Sequence, residues 1–289
     1  MKPVITVICP VRNMEGKLQN LQSWIKQCDP TFQIILVCDS STDMTLEELK
    51  NVQLMNPLLN IEILVGEFGS PGAARNVGLN RAQGDWVTFW DSDDLGRPEL
   101  LSSELQKYNE NSLDAVVFGY EIYSGHKMLK PWSNWPKGQK RCLERTTLNP
   151  GLWRFCFKRS GIGNLTFPNL RMAEDQLFIN DFIQKSSQVN FNDTITYCYF
   201  VGVENQLTSN VTALGDLSVA VEALSREINA DKSIQIFTIR ILGKILITQI
   251  KRSQLPIKAS AVLRLIGLAF RYPREVMKLI YDIVLEKSS

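Results

Sequence analysis

The chain has 289 residues, 44% apolar and 21% charged, with 32 Lys+Arg against 30 Asp+Glu. That balance excludes a disordered chain and leaves room for one large domain, or a domain with an appendage. The small net charge hides an asymmetry: residues 232–289 hold 11 basic and 3 acidic residues, leaving 21 against 27 before them, which argues against general nucleic-acid binding by the main body and sets the last fifth apart as a basic element.

Val4 to Cys9 is a β-branched run, expected to stop at Pro10, which has no N–H for a ladder. Leu18, Leu21, Trp24 and Ile25 then follow helical spacing. A second strand, Gln33 to Cys38, runs into Asp39-Ser40-Ser41-Thr42-Asp43, a polar turn in which Thr42 or Asp43 is placed to cap a helix from Met44 to Val52. Ile61 to Val65 is a third strand. After Gly66, Gly69, Pro71 and Gly72, a helix opens through Ala73-Ala74-Arg75-Asn76-Val77-Gly78, with proline near its first turn. The fourth strand, Trp86 to Trp90, has no polar face and reads as buried on both sides of a parallel sheet.

Asp91, Asp93 and Asp94 follow that strand at once. So much negative charge within four residues calls for a cation or for a hydrogen-bonded turn, and Asp-Ser-Asp-Asp is also ordinary turn chemistry before a helix. The strand–helix repetition implies a parallel sheet with right-handed crossovers, so the strand ends open on one side. Asp39 and the carboxylates at 91–94 are thereby brought to one crevice, where open α/β sheets bind ligands. No G-x-G-x-x-G follows the first strand and no Walker lysine loop occurs, which argues against a dinucleotide site or a P-loop.

Downstream, a helix from Glu99 to Tyr108 leads to a strand, Ala115 to Tyr120, and a hairpin strand, Glu121 to Tyr123. Residues 124–146 read as irregular; Trp132 and Trp135 in them suit either stacking on a sugar or packing the loop onto the body. Glu174 and Asp175 open an apolar-periodic helix through Leu177, Phe178 and Phe182, where first-turn acids are common. Two further strands are expected, Val189 to Phe191 and Thr194 to Val203. From Thr212 the chain reads as helical to its end. Its stripes Val262, Leu265, Ile266, Ala269, Phe270 and Val276, Leu279, Ile280, Ile283, Val284 lie beside Arg264, Arg271, Arg274 and Lys278. Such stripes suit packing on the body, a homodimer interface or peripheral contact with an anionic membrane. The most apolar late stretch, Ile234 to Ile250, is interrupted by Arg240 and Lys244 and does not read as a membrane span. The six cysteines form no Cys-x-x-Cys pair and read as free thiols in a reducing cytosol, and no signal peptide is read at the start of the chain.

Taken together, Pro10-Val11-Arg12-Asn13, Asp39-Ser40-Ser41-Thr42-Asp43, Ala74-Arg75-Asn76-x-Gly78 and Asp91-Ser92-Asp93-Asp94 resemble, in order, the motifs of the family-2 glycosyltransferases. The resemblance implies a nucleotide-diphospho-sugar transferase (GT-A) fold: a Rossmann-like α/β domain with a mixed, mainly parallel sheet, here over residues 1–212, with a basic helical extension over 213–289. It implies that Pro10, Arg12 and Asn13 shape a nucleotide pocket, although many relatives have an aromatic residue where Arg12 stands. It further implies that Asp39 binds base or ribose, that Arg75 lines the pocket, and that Asp91 and Asp93 hold the sugar nucleotide. Asp93 and Asp94 would carry Mn²⁺ or Mg²⁺. Pro150 to Arg159 resembles the apolar segment with a basic end beside the acceptor site. Glu174-Asp175-Gln176-Leu177-Phe178 resembles the Glu-Asp motif, which makes Asp175 the expected catalytic base. The Gln-x-x-Arg-Trp string of processive synthases is absent near Gln206 to Asn210, which favours adding one or a few sugars.

The expected activity is inverting, metal-dependent transfer from a nucleotide-diphosphate sugar to a hydroxyl of a glycan or lipid-linked glycan, in bacterial surface polysaccharide or glycolipid synthesis. The expected place is the cytoplasm or the inner face of the cytoplasmic membrane. Two rivals are a sugar nucleotidyltransferase, which a Gly-rich basic loop after the first strand would mark, and a non-catalytic nucleotide-sugar or glycan-binding module, which has no need of a base at Asp175.

Overall fold

The computed structural model describes residues 4–108, 113–186, 188–202, 214–228 and 235–288. The stretch 206–210 and the expected boundary at 212 lie outside the described residues. The chain divides into two compact units: one made of Met1–Trp135, Gly151–Asn169 and Ser186–Glu204, the other of Pro136–Pro150, Leu170–Lys185 and Asn205–Ser289.

The first unit opens as the alternating pattern requires. Strand β1 (Ile5–Val11) is followed by α1 (Gln19–Ile25), β2 (Phe32–Asp39), α2 (Thr45–Met55), β3 (Asn60–Gly66), α3 (Pro71–Arg81) and β4 (Trp86–Phe89). These four strands are parallel, in spatial order β3-β2-β1-β4. Every residue of β2 and β4 is buried, as a strand covered on both faces demands. The short β5 (Leu95–Gly96) and α4 (Pro98–Leu105) come next, then a hairpin of β6 (Ala115–Ser124) and β7 (Lys127–Trp132). The sheet is completed by β8 (Phe155–Lys158) and β9 (Val189–Val201), with α6 (Arg159–Ile162) after β8. Strand β8 runs antiparallel between β4 and β6, and β9 pairs parallel with β6 and antiparallel with β5. The nine-stranded sheet is thus mixed and mainly parallel in its first half.

Several expectations need correction. Strand β1 does not stop at Pro10, which pairs with Val37 of β2. The Ile8 carbonyl accepts from Trp90 N–H at 3.1 Å, so Ile8 points its backbone groups toward β4. Pro10, two residues on, points the same way, beyond the last paired residue of β4, where no ladder donor is missed. The hairpin partner is not Glu121 to Tyr123, which continues β6, but β7, reached through Gly125 at φ +56. Residues 124–146 therefore contain a strand and the helix α5 (Gln139–Thr146). The two late strands are one, β9, in which the ladder to β6 shifts register near Gly119. No side chain of the 39–43 turn caps α2 at its N-cap, which is Met44; Asp43 instead accepts from Thr45 N–H at 3.1 Å.

The described part of the second unit is helical: α5, α7 (Glu174–Lys185), α8 (Leu214–Glu227), α9 (Gln235–Arg252), α10 (Ile257–Arg271) and α11 (Pro273–Ser288). The charges that interrupt the apolar run of α9 are spent inside it. Arg240 is buried and bonds Asp282 at 2.7 Å and Thr147 Oγ1 at 3.0 Å, and Lys244 donates to the Leu148 carbonyl. None of the described helices is long and apolar enough to cross a membrane.

Candidate active site

The site of the first unit is built on the carboxyl ends of β1, β2 and β4. At β1, Asn13 adopts φ 49 and knits two loops together: its N–H donates to Ser41 Oγ at 3.1 Å, and its Oδ1 accepts from Thr42 N–H at 2.9 Å. Arg12 beside it is exposed, and Pro10 is half-buried. At β2, Asp39 is buried. Its Oδ1 accepts from Ser40 Oγ at 2.9 Å and from the N–H groups of Phe68 and Gly69 at 2.7 and 3.3 Å. Asp39 therefore ties the end of β2 to the loop before α3, and among the described residues its Oδ2 accepts no bond.

Helix α3 supplies the next layer. Ser70 caps it by accepting from Ala73 N–H, and Pro71 sits at its start, where no donor is needed. A Cβ on Gly78 would lie 2.5 Å from Ile8 Cγ2, so the glycine lets this helix lie close on β1. Asn76 grips the backbone of Phe167, with both bonds at 2.8 Å. Arg75, buried one position earlier, donates to Asp91 Oδ1 at 3.0 Å and lies 5.8 Å from the Phe167 ring. The Ala-Arg-Asn-x-Gly string thus packs a helix on the sheet and delivers one guanidinium to the acidic turn.

In that turn the three carboxylates separate. Asp94 is buried and has both oxygens engaged, Oδ2 by Tyr197 O–H and Oδ1 by Phe200 N–H, each at 2.7 Å. Burial, then the charges of Asp93 and Asp91, push its carboxyl well above the usual range. Burial and the charges of Asp94 and Asp91 likewise raise the Tyr197 phenol, which keeps it a proton donor. The same hydroxyl accepts from Asp91 N–H at 3.1 Å, so one residue of β9 pins both ends of the turn. Asp93 is half-buried, and its backbone carbonyl accepts from Asn20 Nδ2 at 2.8 Å. Tyr197 was not among the sequence candidates; it stands 103 residues from Asp94, and no local pattern announces it.

A divalent cation fits this donor set only in one manner. Among the described residues no cluster of three or more His, Cys, Asp or Glu forms a protein cage. Small hard cations bound to phosphorylated ligands need only one or two carboxylates, the phosphates completing the shell. Asp93, half-buried where Asp94 is buried, is the carboxylate suited to that part.

Asp175 lies in the second unit, at the first turn of α7, half-buried, with Oδ1 accepting from Gln176 N–H at 2.8 Å. Glu174 beside it is buried. The preceding Ala173 is buried at φ 68, a left-handed conformation uncommon for a residue with a Cβ. Such strain persists only where the surroundings enforce it. Trp132 is buried and stacked on Tyr120 at 5.7 Å, and the Arg154 guanidinium lies 4.6 Å from the Trp135 ring, whose Nε1 donates to the Asn192 carbonyl. Both tryptophans pack on the body of the first unit.

Known proteins give this arrangement its context. The chain is 30% identical over 193 residues to an uncharacterized glycosyltransferase of Haemophilus influenzae, covering 64% of this chain and 74% of that one. It is 28% identical over 237 residues to the poly(ribitol-phosphate) beta-N-acetylglucosaminyltransferase TarS of Staphylococcus aureus, covering 78% of this chain and 41% of TarS. The crystal structure of TarS residues 1–349 with UDP-GlcNAc superposes with a TM-score of 0.70 at 21% identity, covering 92% of this chain and 81% of that one. The mannosyltransferase PcManGT of Pyrobaculum calidifontis, solved with GDP-Man and Mn²⁺, matches with a TM-score of 0.57 at 16% identity, covering 99% of this chain and 88% of that one. The fold is therefore that of the GT-A glycosyltransferases. Residues 6–163 match the model of the Glycosyl transferase family 2, and the chain belongs to that family as a glycosyltransferase.

Proposed function

We propose that the protein transfers a sugar, with inversion, from a nucleotide-diphosphate sugar to an acceptor hydroxyl in the synthesis of a bacterial surface polysaccharide or glycolipid. The observation that carries this reading is the arrangement of the acidic turn at the carboxyl end of β4: Arg75 holds Asp91, Tyr197 and Phe200 hold a buried Asp94, and Asp93 between them is half-buried. The structural neighbours support it, since TarS was solved with UDP-GlcNAc and PcManGT with GDP-Man and Mn²⁺.

In this reading Pro10, Arg12, Asn13 and Asp39 line the nucleotide, and the single-oxygen engagement of Asp39 leaves Oδ2 for base or ribose. Arg75 holds Asp91 in place beside the sugar nucleotide. Asp93, rather than Asp94, would hold Mn²⁺ or Mg²⁺, while Asp94 anchors the turn. The chemistry such a cation supplies when bound is neutralisation of the charge that builds on the departing nucleoside diphosphate. Asp175 accepts the proton of the acceptor hydroxyl as its oxygen bonds to the anomeric carbon and the bond from that carbon to the diphosphate breaks. One base and one displacement invert the centre, and no carboxylate nucleophile is needed. Work on a lipid-linked acceptor would place the enzyme at the inner face of the cytoplasmic membrane.

Thermal unfolding with a panel of nucleotide sugars tests the donor site, because a ligand of the native state raises its stability by mass action. At least one donor is expected to raise Tm in the presence of Mn²⁺ and to lose that effect on chelation. A panel with no effect in either condition contradicts the reading.

A further inference from the structure

Helices α10 and α11 carry apolar side chains on two faces, and only one is covered. Ala261 and Leu268 of α10, with Val276 and Leu279 of α11, are buried. On the other side of α10, Val262, Leu263, Ile266 and Phe270 share one helical arc and are exposed, Leu263 by 70% and Phe270 by 84%. On α11, Met277 and Val284, seven residues apart, are exposed by 63% and 57%. The sequence stripes therefore split: Val276 and Leu279 pack inward, whereas Val262, Ile266 and Phe270 do not. Two aromatic-to-aliphatic arcs of this length left in water are more than the scattered exposure normal for a monomer.

The charge around these arcs selects their occupant. All seven Lys and Arg side chains between 251 and 278 are exposed, Lys278 paired with Glu144 and Arg264 with Glu222, while Glu275 and Asp282 are half-buried and Asp282 is held by Arg240. On α10, Lys258 lies off one edge of the exposed arc and Arg271 off the other, the placement of cations that stay with headgroups while the arc enters the acyl boundary, whereas Arg264 lies nearer the buried face, 4.0 Å from Glu222. A second copy of this face would bring like charges together, which disfavours a homodimer through it.

We propose that α10 and α11 form a docking surface for an anionic lipid bilayer, on which the helices lie rather than cross. The surface belongs wholly to the second unit, on two helices that carry none of the residues assigned to transfer.

Flotation of the full chain with vesicles of phosphatidylcholine alone, or mixed with phosphatidylglycerol, tests it. The protein is expected to float with the anionic vesicles, less so as salt rises, and to stay behind with the neutral ones. Replacing Lys258, Arg271 and Arg274 by Gln is expected to weaken anionic partitioning on the order of 100-fold, about five-fold per charge. The pair Leu263→Ser and Phe270→Ser is expected to abolish flotation at an unchanged Tm, these side chains being already in water. Failure to float with either vesicle, equal flotation with both, or variants that float like the parent would overturn the proposal. So would a dimer in light scattering that the Ser pair dissociates while the parent fails to float.

Discussion

Tyr197 is the side chain that converts three crowded aspartates into a defined turn. Its hydroxyl donates to Asp94 Oδ2 and accepts from Asp91 N–H. In Tyr197→Phe the Asp94 oxygen stays buried without that donor, a loss of about 1–3 kcal/mol. Chemical denaturation should show this as a lower midpoint, and an unchanged midpoint would mean that the turn is held by other contacts. The two neighbouring aspartates separate by the same logic. Asp94→Ala should lower Tm without any ligand, and by more than Asp93→Ala does, whereas Asp93→Ala should remove the Mn²⁺-dependent shift with a nucleotide sugar. The reverse outcome would move the cation to Asp94. Asp39, Asp91, Asp93 and Asp94 are legible from sequence because a carboxylate directly after an apolar strand has one place to go. The partners that give each a different task come from β9 and α3, which local spacing cannot reveal.

Among the elements, α3 shows how close packing fixes a sequence. Gly78→Ala puts a methyl 2.5 Å from Ile8 Cγ2. The overpacking should destabilise by about 1–3 kcal/mol, read as a lower denaturant midpoint at constant slope. Helix α7 carries a pH-dependent term of another kind. Burial and then the Glu227 charge push Asp181 up to about 6. Asn180 Nδ2 serves Glu227 at 2.7 Å and Asp181 at 3.4 Å, while Thr238 fixes its Oδ1 and Lys185 opposes the shift. A carboxyl raised on folding is most favourable when protonated, so its contribution is present near pH 4 and lost as pH rises through about 6. Asp181→Asn should raise Tm at pH 7.5 and change it little at pH 4.5. Equal effects at both would remove the titration from the account. The strands β1 to β4 were readable as continuous apolar runs. Strand β7 was not, because its residues are mostly exposed and carry no alternation toward a core. Pro10 misled because what matters is which neighbour its missing N–H would face, and that depends on where β4 ends.

At the scale of the whole molecule, the order of expected elements along the sequence divides the chain at one point near residue 212, after the last expected strand. The compact units instead share the chain in alternating pieces: 136–150 and 170–185 belong with the late helices although they precede β9. Composition changes along the sequence, whereas contacts form across it, so a charge step at residue 232 cannot report segments contributed from further upstream. The acidic turn belongs to the first unit and Asp175 to the second, and the transfer reading assigns them complementary tasks, holding the donor and taking the proton. Asp175→Asn keeps the shape of the side chain and removes its basicity, so donor affinity and turnover measured on the same variant test that assignment most directly. The account predicts nucleotide-sugar affinity equal to the parent's with transfer slower by on the order of 10²–10⁴; transfer at the parent's rate would contradict it.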